Sequence, residues 1–78
     1  MGVIEFSPDR PVWQQVADVI AERIADGTYA PRRPIPSEKQ LVAEFGIARG
    51  TARKVIAGLR AEGLIYTVAN LGSFVSER

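Results

Sequence analysis

A chain of 78 residues with 46% hydrophobic content has room for one domain with a modest core. It holds no cysteine and no histidine, which excludes a disulfide framework, a thiolate nucleophile, a Cys/His zinc site and an imidazole base. The net charge of +1 conceals a bipolar chain: residues 1–31 carry −3 and residues 61–78 carry −1, while residues 32–60 carry +5.

That middle segment sets Arg32, Arg33, Lys39, Arg49, Arg53, Lys54 and Arg60 against only Glu38 and Glu44. A polyanionic partner is to be sought there. At the N-terminus no basic segment precedes an apolar run, and Phe6 stands where a myristoylation motif needs Ser or Thr. No apolar stretch approaches the roughly 20 residues of a membrane span, so a cytoplasmic protein is expected.

Residues 1–10 lack periodicity and read as an N-terminal arm, whose Val3, Ile4 and Phe6 can pack on the domain or make a dimer contact. Pro11 suits the first turn of a helix, where its missing N–H costs nothing. Trp13, Val16, Ala17, Ile20 and Ile24 then recur at three- and four-residue intervals up to Gly27. This is the first helix, with Trp13 expected as its largest core contributor. Three prolines in residues 28–36 forbid a helix and leave room for a short edge strand at residues 33–35.

Ser37 and Gln40 have capping-box spacing and open a short second helix. Leu41, Val42 and Phe45 supply its buried stripe, and Gly46 suits the left-handed residue that ends it. After the turn at residues 46–48 a third helix runs to Glu62 and stops at Gly63. Residues 64–68 are β-formers, residues 69–72 a turn, and residues 73–76 can return antiparallel as a hairpin. Residues 77–78 are a tail. The expected class is α+β, mainly α: a winged helix-turn-helix over residues 11–76, with three helices, a short strand and a C-terminal hairpin wing.

Two helices joined by a short turn, the second rich in bases, form the layout that lays a recognition helix in the major groove. At about 100° per residue from Arg49, Ala52, Val55, Ile56 and Leu59 fall between about 240° and 340°. Arg49, Gly50, Arg53, Lys54, Ala57 and Arg60 fall between about 0° and 140°. One face is core and the other basic. An ordinary solvated helix alternates charge signs, but residues 49–60 hold four bases and no acid. Gly50 and Ala57 let the backbone approach the groove floor, and Arg49 and Arg53, one turn apart, can reach guanine edges or phosphates. Arg60 lies in the last turn, where the helix dipole already favours a cation, so its charge has a structural reason as good as a DNA contact.

These residues resemble the N-terminal DNA-binding domain of the GntR family of bacterial regulators. The resemblance rests on IPSEKQLVAEFGIARGTARKVIAGLRAEGLI at residues 35–65, GSFV at residues 72–75, and PVWQQVADVIAERIADGTY at residues 11–29. It implies a winged helix-turn-helix that binds double-stranded operator DNA through Lys39, Arg49, Thr51 and Arg53, with help from the turn before Gly72. Ala48 departs from the family's usual Ser or Thr at the start of the recognition helix, a lost cap worth about 1 kcal/mol. Asn70-Leu71 replaces a commoner Gly-rich, basic wing tip; Asn tolerates a left-handed backbone, but such a tip holds phosphate weakly. The family's C-terminal effector-binding and dimerisation domain is not expected in a chain that stops soon after the wing.

The expected function is sequence-specific operator binding that regulates transcription, as a repressor. The DNA-binding set is Lys39, Arg49, Gly50, Thr51, Arg53, Lys54, Asn70 and Gly72, with Arg32 or Arg33 as phosphate contacts or plain linker residues. No metal, cofactor or effector ligand is expected within the chain, and a homodimer is expected only on DNA. A winged-helix module that binds protein is the alternative; it calls for an exposed apolar patch and little basic bias on the third helix. Catalysis would need a carboxylate pair, a Lys or a hydroxyl in a cleft, and no such cluster is recognisably spaced.

Overall fold

The computed structural model describes residues 6–77. In chain order it contains α1 (Val12–Ala25), α2 (Glu38–Phe45), α3 (Arg49–Ala61), β1 (Ile65–Val68) and β2 (Gly72–Val75). The expected Val3 and Ile4 contacts lie outside the described residues.

Pro11 stands one place before α1 as its N-cap, at φ −59° and ψ 138°, and not within the first turn. Its carbonyl accepts from the backbone N–H groups of Gln14 and Gln15. The Gln15 amide clamps the segment in front: its Nε2 donates to the carbonyls of Ser7 and Arg10, and its Oε1 accepts from the Ser7 N–H. Phe6 packs against the core, so the end of the expected arm is docked on the domain. Val16, Ala17 and Ile20 are the buried face of α1. Trp13 is a correction, because it is only half-buried and lies at the rim of the core. Its ring lies against Gly58 of α3, where the absence of a side chain leaves the space.

The proline-rich connection runs along the outer edge of β2. Arg32 N–H donates to the Val75 carbonyl, Val75 N–H to Arg33, and Ile35 N–H to Ser73. The expected edge strand is reduced to one bridge, Pro34 to Phe74. Pro34 sits in a non-hydrogen-bonded pair with its nitrogen facing away from β2, and the ladder stops because Arg32 at φ 67° leaves extended backbone and Arg33 N–H donates back to the Ala30 carbonyl.

Ser37 caps α2 in a full capping box with Gln40, and Gly46 ends the helix in the left-handed region at φ 66°. Buried Ile47 pins the three-residue turn into the core. That turn delivers α3 with Ala52, Val55, Ile56 and Leu59 inward, packed on both α1 and α2. The hairpin register pairs Ile65 with Val75, and both side chains are buried, which anchors the wing's base to the helices. Its turn matches a three-residue loop in which Asn70 takes φ 67°; Gly72, expected in the turn, begins β2. Leu64, expected to open the first strand, precedes it and accepts from Ser76 N–H.

Two glycines of α3 therefore differ. A Cβ on Gly58 would stand 2.7 Å from Trp13 Cζ3, whereas one on Gly50 meets nothing within 4 Å. Gly58→Ala should lose about 1–2 kcal/mol, overpacking outweighing helix propensity, and Gly50→Ala should gain up to about 1 kcal/mol. Urea melts check both, and Trp13 fluorescence should shift in the Gly58 variant alone.

Candidate nucleic-acid interface

The solvent face of α3 carries Arg49, Gly50, Arg53, Lys54, Ala57 and Arg60, all exposed, with Thr51 half-buried beside them. The inward stripe of α3 fixes this presentation, since the buried residues allow the helix one rotation about its axis. Lys39 projects from the first turn of α2 and is also exposed. Among the described residues no carboxylate lies within 4.0 Å of Arg33, Lys39, Arg49 or Lys54. With no ion-pair partner among the described residues, these exposed cations are available to an external anion.

Arg53 differs: its Nε stands 4.0 Å from Glu38 of α2, with the Arg53 side chain 69% exposed. An exposed pair of this length is worth at most about 1 kcal/mol. It still places a carboxylate at the edge of the basic face, where it opposes a polyanion. Sequence reasoning missed this pair, because its partners come from two helices whose packing angle no local pattern gives. Arg32, weighed as a phosphate contact, has its guanidinium 3.8 Å from Glu77.

Two further arginines have structural work. Arg23 donates to Glu44 Oε2 at 2.6 Å and to the Tyr29 hydroxyl at 2.8 Å, and its guanidinium lies 5.6 Å from the Phe45 ring centroid. The hydrogen bond to Glu44, then that to Tyr29, holds its pKa above the ordinary arginine range. It ties α1 to α2 and so holds the helix-turn-helix pair together. Arg10 pairs with Asp18 at 2.6 Å on α1.

Ala48 occupies the N-cap of α3 at φ −71° and ψ 156°, an extended backbone suited to a capping side chain, and none is supplied. At the wing tip Asn70 is left-handed, Gly72 has φ 117°, and Leu71 is 72% exposed. Tyr66 and Phe74 stack on the outer face of the hairpin, with ring centroids 5.8 Å apart. The structure thus brings Lys39, Arg49, Gly50, Arg53 and Lys54 to the surface formed by α2 and α3, with Gly72 of the wing lining the same cleft as Lys39 and Asn70 in the turn at the wing tip.

Among the described residues no group of His, Cys, Asp or Glu could hold a metal ion, and no helix is long and apolar enough to cross a membrane. A short capped helix, a buried turn, a helix basic on one side and a hairpin beyond it define a winged helix-turn-helix DNA-binding domain. The family model for bacterial regulatory proteins of the gntR family matches residues 13–75, and the chain belongs to that family. It is 36% identical over 77 residues to the HTH-type transcriptional repressor NagR of Bacillus subtilis, covering 99% of this chain and 31% of that protein. To the histidine utilization repressor of Klebsiella aerogenes it is 38% identical over 71 residues, covering 91% and 30%. The chain thus spans about a third of the length of these relatives. Among solved structures, the AraR DNA-binding domain in complex with operator ORX1 superposes with a TM-score of 0.88 at 35% identity, covering 97% of this chain and 96% of that one. These relatives are transcriptional regulators.

Two changes test the local chemistry. Ala48→Ser should add a cap and raise stability by about 1 kcal/mol in urea melts. Glu38→Gln, which removes the carboxylate beside Arg53, should strengthen binding to mixed-sequence duplex DNA at low salt, as read by fluorescence anisotropy, and the gain should fade as salt rises.

Proposed function

We propose that this chain occupies a duplex operator in the cytoplasm and regulates transcription as a repressor. The observation that supports this most is the face of α3, where cations unopposed on their own helix flank the small residues Gly50 and Ala57. Arg49 and Arg53 read base edges from the major groove, and Gly50 permits the approach of the backbone. Thr51, half-buried at the margin of that face, makes a shorter-range contact. Lys39, Lys54 and Arg33 hold phosphates and set the register, and Asn70 and Gly72 bring the wing tip to the adjoining backbone. The repressors NagR and of histidine utilization, and the AraR domain with its operator, carry the same reading at the level of the family.

A single module of this size covers about 600–1,000 Å² on DNA. Two copies on half-sites about one helical turn apart would supply the affinity that one lacks. Phe6 packs on its own domain and is thereby withdrawn from a dimer contact, which favours assembly on DNA. A protein partner is the second reading, and one observation favours it: Tyr66, Val68 and Leu71 leave apolar surface exposed on the wing.

Selection of bound sequences from random duplexes tests the reading, with a half-site or palindromic consensus as the expected result and no enrichment as the overturning one. On the selected duplex, Arg49→Ala and Arg53→Ala should each lose about 1–3 kcal/mol and relax specificity at one position. Leu71→Lys should strengthen binding to all sequences and steepen its salt dependence by about one ion.

A further inference from the structure

The basic face of α3 ends on a cation that is turned to another purpose. Arg60 Nη1 donates to Thr67 Oγ1 at 2.9 Å, and Thr67 Oγ1 shares a second hydrogen bond of 2.9 Å with Ser73 Oγ. Thr67 and Ser73 face each other across the hairpin, in register. The relay therefore joins the last turn of α3 to both strands of the wing.

The two strands are not equally supported. β2 is flanked on its outer edge by the connection before α2, through the Pro34 bridge and the bond from Ile35 N–H to Ser73. Among the described residues β1 pairs with β2 alone, and beyond buried Ile65 its residues Tyr66, Thr67 and Val68 are exposed. Along β1 the side chains alternate, so Thr67 shares the helix-facing side with Ile65, while Tyr66 and Val68 take the outer side. Arg60 is thus the strut that meets β1 above its buried base. Among the described residues its guanidinium has no carboxylate within 4.0 Å. One arm of its planar guanidinium, Nη1, donates to the Thr67 hydroxyl, which ties the orientation of the exposed side chain to the wing.

We infer that Arg60 is a positioning residue for DNA binding: through Thr67 and Ser73 it sets the angle between wing and recognition helix, and it does not itself contact phosphate. The inference rests on the operator-binding reading for its consequence, but the strut itself is testable in the free chain. A wing tip with no Lys or Arg has no long-range attraction to steer it onto the backbone, so its contacts depend on being held in place beforehand.

The test compares Arg60→Met, Thr67→Val and their double variant with the unaltered chain. Thr67→Ser, which keeps the hydroxyl, is the conservative control. Without DNA, backbone ¹⁵N relaxation should show increased motion confined to residues 66–73 in the Met and Val variants, and restored order in Thr67→Ser. On the duplex selected from a random pool by the unaltered chain, each disrupting variant should weaken binding about 3- to 10-fold. The double variant should be no weaker than the worse single one, and the slope of log K against log salt should stay unchanged. A slope shallower by about 0.9 in Arg60→Met, with Thr67→Val binding normally, would make Arg60 a phosphate contact and overturn the inference. Unaltered wing relaxation in both single variants would also overturn it. Failure of the unaltered chain to enrich any duplex would instead refute the operator reading and leave the relaxation result to judge the strut.

Discussion

Everything in this domain depends on α3 being core on one side and bare on the other. Ala52, Val55, Ile56 and Leu59 bring it against α1 and α2, and each turn of that packing removes a degree of freedom from the opposite face. A helix held by four buried side chains cannot roll without exposing apolar surface at roughly 25 cal/mol per Å². The placement of Arg49, Gly50, Arg53 and Lys54 is therefore a consequence of hydrophobic burial, with no side-chain ion pair among the described residues beyond the long Arg53 pair with Glu38. That independence suits a surface meant to meet an external polyanion, because bases already committed to internal carboxylates would have to be released first.

The remaining elements hold this helix in register. Arg23 joins α1 to α2 through Glu44, with Tyr29 and Phe45 beside it, and the capping box starts α2 at a defined residue. Gly46 and buried Ile47 then set the direction in which α3 departs. The molecule divides its cations between two tasks by what surrounds them. Arg23 and Arg10 lie beside acids on or next to the acidic first helix, whereas Lys39, Arg49 and Lys54 lie where the chain supplies almost no acid.

Much of this organisation was legible in the amino-acid order, for reasons that are local. The 3.6-residue period of α3, the Ser37 to Gln40 spacing and the glycine after Phe45 each act within one or two turns of chain. Their outcome is thus insensitive to what lies elsewhere. The division of α3 into a buried and a basic side followed from the same period. Trp13 was misplaced because size alone predicts burial, whereas its actual position depends on which residue of a distant helix faces it, namely Gly58. The strand at residues 33–35 shrank to a single bridge because Arg32 takes a left-handed backbone and Arg33 N–H turns back to Ala30, so the chain leaves the edge of β2 there.

By itself, the sequence determined the three helices, the capping box and glycine stop of α2, the hairpin and the gathering of positive charge in residues 32–60, all of them properties of neighbouring residues. It also determined what is missing: the cap at Ala48 and the charge at the wing tip. Only the tertiary structure decided what each cation faces. Glu38 meets Arg53 across two helices, Thr67 meets Arg60 across a helix and a strand, and Glu77 meets Arg32 from the far end of the chain. Such pairings are set by the angles at which elements pack, and those angles follow from the whole buried core and not from any segment of it.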